Sequence, residues 1–377
     1  MNILYPVLCY YPSQAGGPAN TLYWQNTELA KNNIGTITVS TSFGIDKNSD
    51  EIQKLGDSIS YKNHLVEFTE KGIPDALKKS VKYLKEAQII HFSSIFFPVT
   101  LPLLIISLRL KKVVVISPRG ELYNAALQIK PKSKCLWIAL IKRFQRKINF
   151  HATNEYEAGL IKKFFPRARS VEVINNFIKI PEMTIVPVEN KFIFLGRINP
   201  IKNIHLLINA FYFLVKDNED ATINLVIVGS ARLAYEEKYL EELRSQVKEL
   251  GLGSRVSFRG HLEGEEKEKE LASAKALVLP SKSENFGNVV LESLAQGTPV
   301  IASTGTPWEI LDQKKSGYWI APTTENIFQA MQDILNLSEY EYAQSRKNCV
   351  ALCKNSFDVQ SNIHLWVNYY KKVTTYV

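Results

Sequence analysis

Short apolar runs alternate with longer stretches of helical periodicity along almost the whole chain, and no feature of the sequence narrows its fold more. A buried parallel strand reads as an apolar run, and parallel strands need helical crossovers between them, so this alternation specifies βαβ units. In the first half it predicts strands at Ile3–Cys9, Thr36–Ser40, Ile89–Phe92, Val113–Ser117, His151–Thr153 and Val171–Ile174, with helices such as Asn20–Lys31 and Ser133–Lys147 between them. Near Asn175 the pattern breaks into a Pro-containing stretch up to Asn190, which reads as a linker. It then restarts with strands at Phe192–Leu195, Ile223–Val228, Val256–Phe258, Ala276–Leu279 and Pro299–Ala302. Helices are expected at Ile204–Val215, Tyr235–Leu250, Glu265–Ala274 and Gly287–Gln296, followed by terminal helices.

A chain of 377 residues is too long for one ordinary core, so two α/β domains are expected. Such sheets bind ligands beyond the carboxyl ends of their strands. No segment reaches the ~20 apolar residues of a membrane-spanning helix. Ile95–Leu108 is shorter and carries Pro98 and Pro102, so it reads as a buried turn and helix. The opening residues read as a first strand, without the basic region of a signal peptide. Four scattered cysteines make neither a disulfide framework nor a zinc site, which favours a reducing cytoplasm.

Charge is unevenly placed. Residues 1–178 hold 24 Lys/Arg against 13 Asp/Glu, whereas residues 179–377 hold 22 against 24. The basic half should attract an anionic partner: a membrane surface, a phosphorylated acceptor or nucleic acid. Lys130–Lys147 concentrates seven of these cations beside Trp137 with no acid among them. That pattern suits an amphipathic helix on anionic lipid, and equally a packed helix with a basic outer face. The mixed-charge run Glu263–Glu270 reads as a solvated helix face.

The residues most suggestive of chemistry lie at 281–300. There a strand feeds a polar loop carrying Glu284, and a helix starting near Phe286–Gly287 carries Glu292. A helix N-terminus seats phosphate, and Gly287 lets a ligand approach the backbone. The two glutamates alone would read as a dipole partner and a solvated residue. Arg197 and Lys202 change the balance. They sit in a strand-to-helix loop, where fixed cations can neutralise a diphosphate and stabilise a leaving phosphate. Gly16 and Gly17 follow the first strand, a weak phosphate-loop signal that a simple tight turn would also produce. His91 and His151 read as core or loop residues.

Together these motifs resemble the retaining GT-B glycosyltransferases of family 4, also called glycosyl transferases group 1, over nearly the whole chain. The likeness rests on the Gly-Gly loop, Gly-Arg…Lys at 196–202, Val-Gly at 228–229, Phe-x-Gly at 258–260 and Pro-Ser…Glu-x-Phe-Gly…Glu at 280–292. It implies two Rossmann-like domains facing across a cleft: 1–178 binding the acceptor, 179–355 binding the donor, and a helix over 356–377 returning to the first. Arg197 and Lys202 would hold the donor diphosphate, and Glu284 the transferred sugar beside the amides of Phe286, Gly287, Asn288 and Val289. Glu292 would bind the ribose, and Gly16 and Gly17 would cradle phosphate or sugar. Many family members carry a histidine where this chain reads Ser-Pro-Arg-Gly at 117–120, which resembles a subgroup of bacterial surface-polysaccharide type. Arg119 would then face the donor or the acceptor.

The reading implied is a retaining hexosyltransferase that uses a nucleotide sugar as substrate, UDP-linked in preference to GDP-linked. It would need no cofactor and no metal, in keeping with the absence of an Asp-x-Asp motif. The acceptor would be lipid-linked or a glycan. The protein would be cytoplasmic, peripheral on the inner face of the cytoplasmic membrane, with no nucleic-acid partner. A nucleotide-sugar epimerase and a non-catalytic sugar-nucleotide binding protein share the architecture. An NAD enzyme would want a glycine fingerprint and ribose acid that are not evident.

Overall fold

In a computed structural model, the described residues are 1–13, 17–45, 58–61, 64–69, 71–218 and 222–375. They divide into two compact units, Met1–Lys179 with Asp358–Val377, and Ile180–Phe357.

The first unit is built on an eight-stranded sheet. Its strands are β1 (Asn2–Val7), β2 (Gly35–Thr41), β3 (Ser58–Tyr61), β4 (His64–Thr69), β5 (Ile89–Phe92), β6 (Val113–Ile116), β7 (Ile148–Ala152) and β8 (Ser170–Val173). They lie in the order β3-β4-β2-β1-β5-β6-β7-β8, and all pairings are parallel except β3 with β4. Because side chains alternate along a strand, β1 sends Ile3, Tyr5 and Val7 into one apolar cluster and Leu4 into another. Helices cover both faces. The helices Gly72–Tyr83, Thr100–Arg109, Pro131–Lys142 and Glu155–Phe164 contribute to one cluster. Gly17–Lys31 and the late helix Val359–Thr374 contribute to the other. The late helix belongs there because Val359, Ile363, Trp366, Tyr370 and Val373 recur on one face and are all buried.

That helix is also tied down by polar bonds. Tyr370 OH lies 2.7 Å from Tyr5 OH and 2.7 Å from His91 Nδ1, and Gln25 Nε2 donates to it at 3.1 Å. From His91 the contacts continue through Nε2 to Ser117 Oγ (2.6 Å), on to His151 Nδ1 (2.8 Å), and from His151 Nε2 to the Ile174 carbonyl (2.8 Å). Both histidines are fully buried. Burial holds them neutral, pushing His151 down to about 3 and His91 well below the usual histidine range.

The second unit has a six-stranded, all-parallel sheet. Its strands are β9 (Lys191–Leu195), β10 (Asn224–Val228), β11 (Val256–Arg259), β12 (Ala276–Leu279), β13 (Val300–Ser303) and β14 (Gly317–Ile320). The order β11-β10-β9-β12-β13-β14 is the doubly wound order of a Rossmann fold. Successive crossovers from β9 run to one side and those from β12 to the other. The crevice therefore opens where β9 and β12 meet.

Several expectations are corrected in detail. The helix expected over Ser133–Lys147 ends at Lys142, and a 3₁₀ turn follows at Gln145–Lys147. The strand placed at His151–Thr153 starts earlier, at Ile148. The helix near Phe286 starts at Asn288. β3, β4 and β14 were not anticipated.

Candidate functional site

Two loops leave the second sheet at the β9/β12 switch point. The first carries Arg197 and a 3₁₀ turn, Pro200–Lys202, started by Asn199, whose side chain accepts from Ile201 N at 3.0 Å. Asn203, in the left-handed region, ends the turn and donates from Nδ2 to the Pro280 carbonyl at 3.1 Å. The second loop, from Pro280 to Gly287, lies against the first through Lys282 N and the Ile201 carbonyl (2.7 Å). The loops thus act as one frame. On it the Lys202 ammonium and the Glu284 carboxylate, which are 82 positions apart in sequence, form an ion pair. Both side chains are largely buried, at 14% and 15% exposure, so the pair is less screened than a surface bridge. Ser281 Oγ also donates to Glu284, at 3.1 Å.

Glycines set the shape of the second loop at two places. A side chain on Gly305 would place its Cβ 2.4 Å from the Lys282 carbonyl and 2.6 Å from that of Ser281. Only glycine lets this turn lie flat against the loop, where the Gly305 carbonyl accepts from Glu284 N at 2.9 Å. Gly287 has φ +80° and precedes the helix Asn288–Ala295. The left-handed turn directs the positive end of that helix toward the loop holding Glu284. Phe286 is buried edge-to-face against Trp308, whose Nε1 donates to the Phe286 carbonyl at 2.5 Å. Phe286 therefore shapes the loop from beneath, through packing. Asn288 and Val289 form the first turn of the helix.

Arg197 is half exposed, and its guanidinium lies 3.9 Å from Glu236, a fully buried carboxylate. Burial pushes Glu236 up, but the Asn199 amide, the Arg232 N–H and the Arg197 charge outweigh it and hold the acid below its usual range. Glu236 thus stays charged and anchors the Arg197 loop, a role that sequence inspection missed. Glu292, on the Asn288–Ala295 helix, pairs with Lys267 at 3.2 Å. The structure brings Lys202 and Glu284 into contact and mounts Arg197 on the same loop as Lys202. Glu292 is held on a partner of its own.

In the first unit, Gly17 opens the helix Gly17–Lys31, while Gly16 lies outside the described residues. Arg119 follows β6 with φ +50° and donates from Nη1 to Asn176 Oδ1 at 3.1 Å. Among the described residues no cluster of three or more His, Cys, Asp or Glu side chains could hold a metal ion. None of their helices is long and apolar enough to cross a membrane.

Residues 176–350 match the family described as Glycosyl transferases group 1. The chain is 38% identical over 135 residues to the uncharacterized glycosyltransferase MJ1607 of Methanocaldococcus jannaschii, covering 36% of this chain and 32% of that protein. It is 30% identical over 136 residues to the mannosylfructose-phosphate synthase of Agrobacterium fabrum, covering 34% of this chain and 30% of that protein. These alignments span about a third of the length of the curated relatives. In fold, the chain matches Anabaena Alr3699/HepE, solved in complex with UDP and glucose, with a TM-score of 0.78 at 18% identity over 99% of this chain and 100% of that one. The fold is of the GT-B class, two Rossmann-like α/β domains. The family match does not extend over residues 1–175, where the likeness is one of fold. The matched stretch, residues 176–350, is just under half of the chain.

Proposed function

We propose that this protein is a retaining, metal-independent glycosyltransferase. In this reading it moves a hexose-type sugar from a nucleotide-diphosphate donor to a lipid-linked glycan acceptor in bacterial surface-polysaccharide synthesis. The observation that carries the reading is the Lys202–Glu284 pair, on a loop frame that also bears Arg197 and leads into a helix N-terminus, at the switch point of a sheet within the stretch that matches the group 1 family. A donor diphosphate draws the Lys202 ammonium to its oxygens, and Arg197 adds a second cation, so the charge on the departing phosphate is met without a metal. Glu284, released from Lys202, accepts hydrogen bonds from the sugar hydroxyls. The acceptor oxygen bonds to the anomeric carbon on the face the diphosphate leaves. As the carbon–oxygen bond to phosphate breaks, a phosphate oxygen takes the acceptor proton. Glu292 contacts the ribose by exchanging its bond to Lys267. A UDP-sugar is the first donor to test, since a protein of the same fold, from Anabaena, was solved in complex with UDP and glucose.

For membrane attachment, the helix Pro131–Lys142 supplies the support. Ile138 and Ile141 are buried and Trp137 packs against the core, so the helix is anchored. Ile129, Leu136 and Leu140 nevertheless face solvent among exposed Lys130, Lys132 and Lys142. This apolar and basic outer face suits the anionic inner face of the cytoplasmic membrane.

Thermal shift against a panel of nucleotide sugars identifies the donor, and transfer assays with that donor test the reaction. Lys202→Ala and Glu284→Ala should each lower transfer about a hundredfold or more while keeping the fold. Wild-type rates in both variants would remove the assignment. An epimerised donor released in the absence of any acceptor would point to an epimerase instead.

A further inference from the structure

Two polar side chains at the carboxyl edge of the first sheet carry buried atoms without a hydrogen-bond partner: Ser93, through Oγ, and Arg119, through Nε and Nη2. Ser93 directly follows β5 and Arg119 lies just beyond β6. The two strands are neighbours, with Phe92 opposite Ile116 and Ser117 N donating to the Phe92 carbonyl at 2.8 Å. This edge adjoins the β1/β5 switch point, where a doubly wound sheet binds its ligands.

The choice of atoms is informative. Nη1 of Arg119 is engaged by Asn176, whereas Nε and Nη2 form one complete edge of the guanidinium plane. Their N–H bonds run parallel, spaced for two oxygens of a single carboxylate or phosphate. A guanidinium keeps its charge, so an unmatched buried edge is costly unless an anion meets it.

The acids nearby are committed elsewhere. Glu157 accepts from Gly120 N at 2.5 Å through one oxygen, and from Thr153 N at 2.8 Å and Thr153 Oγ1 at 3.0 Å through the other. Glu121 accepts from Ser94 Oγ at 2.6 Å and from Ile95 N at 2.5 Å. In doing so Glu121 ties the loop after β5 to the loop after β6, holding Ser93 and Arg119 on one support. The left-handed backbone at Arg119 and Gly120 (φ +50° and +84°) and the buried Ser117 fix the turn between them.

We infer that Arg119, assisted by Ser93, forms an oxyanion-binding site in the first unit that receives a phosphate or carboxylate of the acceptor. The site itself follows from the unpartnered donors. Its assignment to the acceptor rests on the glycosyltransferase reading, in which Arg197 and Lys202 of the second unit serve the donor.

Titration calorimetry on the full chain, at constant ionic strength, tests this with inorganic phosphate and with glucuronate as probes. In Lys202→Ala, which weakens the donor site, one oxyanion site should persist. Adding Arg119→Gln should weaken it about tenfold or more, and Ser93→Ala about threefold, the scale of losing a charge-assisted pair and one neutral bond. Arg119→Lys, which keeps the charge but lacks the edge, should recover only part of the affinity and provides a second variant should Arg119→Gln fold poorly. Phosphate binding alone identifies a phosphorylated acceptor, and glucuronate binding alone an acidic sugar. Unchanged binding in the Arg119 variants, or no binding of either probe to wild type, overturns the site. Parallel loss of UDP affinity in Arg119→Gln would assign the anion to the donor and overturn the acceptor assignment. Neither result depends on whether transfer is observed.

Discussion

The carbonyl of Ile174 fixes the direction of a long buried hydrogen-bond chain. A carbonyl only accepts, so His151 Nε2 carries the proton and its Nδ1 accepts from Ser117. Ser117 Oγ must then accept from His91 Nε2, leaving His91 Nδ1 to accept from Tyr370. Tyr370 in turn accepts from Tyr5 and Gln25. Protonating either histidine breaks this order. The sign of the pH dependence follows: the folded pKa lies below the unfolded value of ~6.5, so the unfolded chain takes up protons first and stability falls as pH drops below that value. With His151 held down to about 3, its share should be about 2 kcal/mol between pH 6.5 and 5. Urea unfolding at pH 7.5 and 5 should show the gap between wild type and His151→Gln shrinking by roughly that amount. A constant gap would contradict the neutral assignment. Tyr370→Phe should cost about 1–3 kcal/mol at neutral pH, since it leaves His91 without its donor. None of this was legible in the sequence, because Tyr370 and His91 are 279 positions apart.

At the level of elements, apolar runs located most strands to within a residue or two, because fully buried parallel strands have no polar face to blur the signal. The short edge pieces escaped. β3 and β14 have four residues each, and β4 alternates too briefly to stand out. The end of the basic helix at Lys142 was likewise invisible, since no glycine or proline marks it and Phe144 instead packs against the core. The loop residues Arg197, Lys202 and Glu284 were recognisable from their places after strands and from motif spacing. The partners Glu236, Lys267 and Gly305 were not, since each meets the site only through tertiary packing. Gly305→Ala tests that support. Its Cβ would overlap the carbonyls of residues 281 and 282, so the loop must move. Overpacking of this kind costs about 1–3 kcal/mol, and donor affinity should fall as well, by thermal shift with the matching nucleotide sugar. Unchanged stability and affinity would show that the loop yields without consequence.

Over the whole molecule, the positive excess of residues 1–178 is a sequence property, and the structure adds where part of it sits beside exposed Leu136 and Leu140. Flotation with anionic vesicles should recover the protein at low salt and lose it at high salt, while neutral vesicles retain little in either. Replacing Lys130, Lys132 and Lys142 together by Gln should weaken flotation without altering thermal stability, since all three are exposed. Salt-independent flotation, or none, would separate this helix from any membrane role. The return of Val359–Thr374 to the first unit matters for the order in which the protein is made. A ribosome completes residues 180–357 as one uninterrupted stretch before it supplies Tyr370 and Trp366. Nascent chains can therefore finish their second globule while the first still lacks a flank of its core, so the half synthesised earliest is the last to mature.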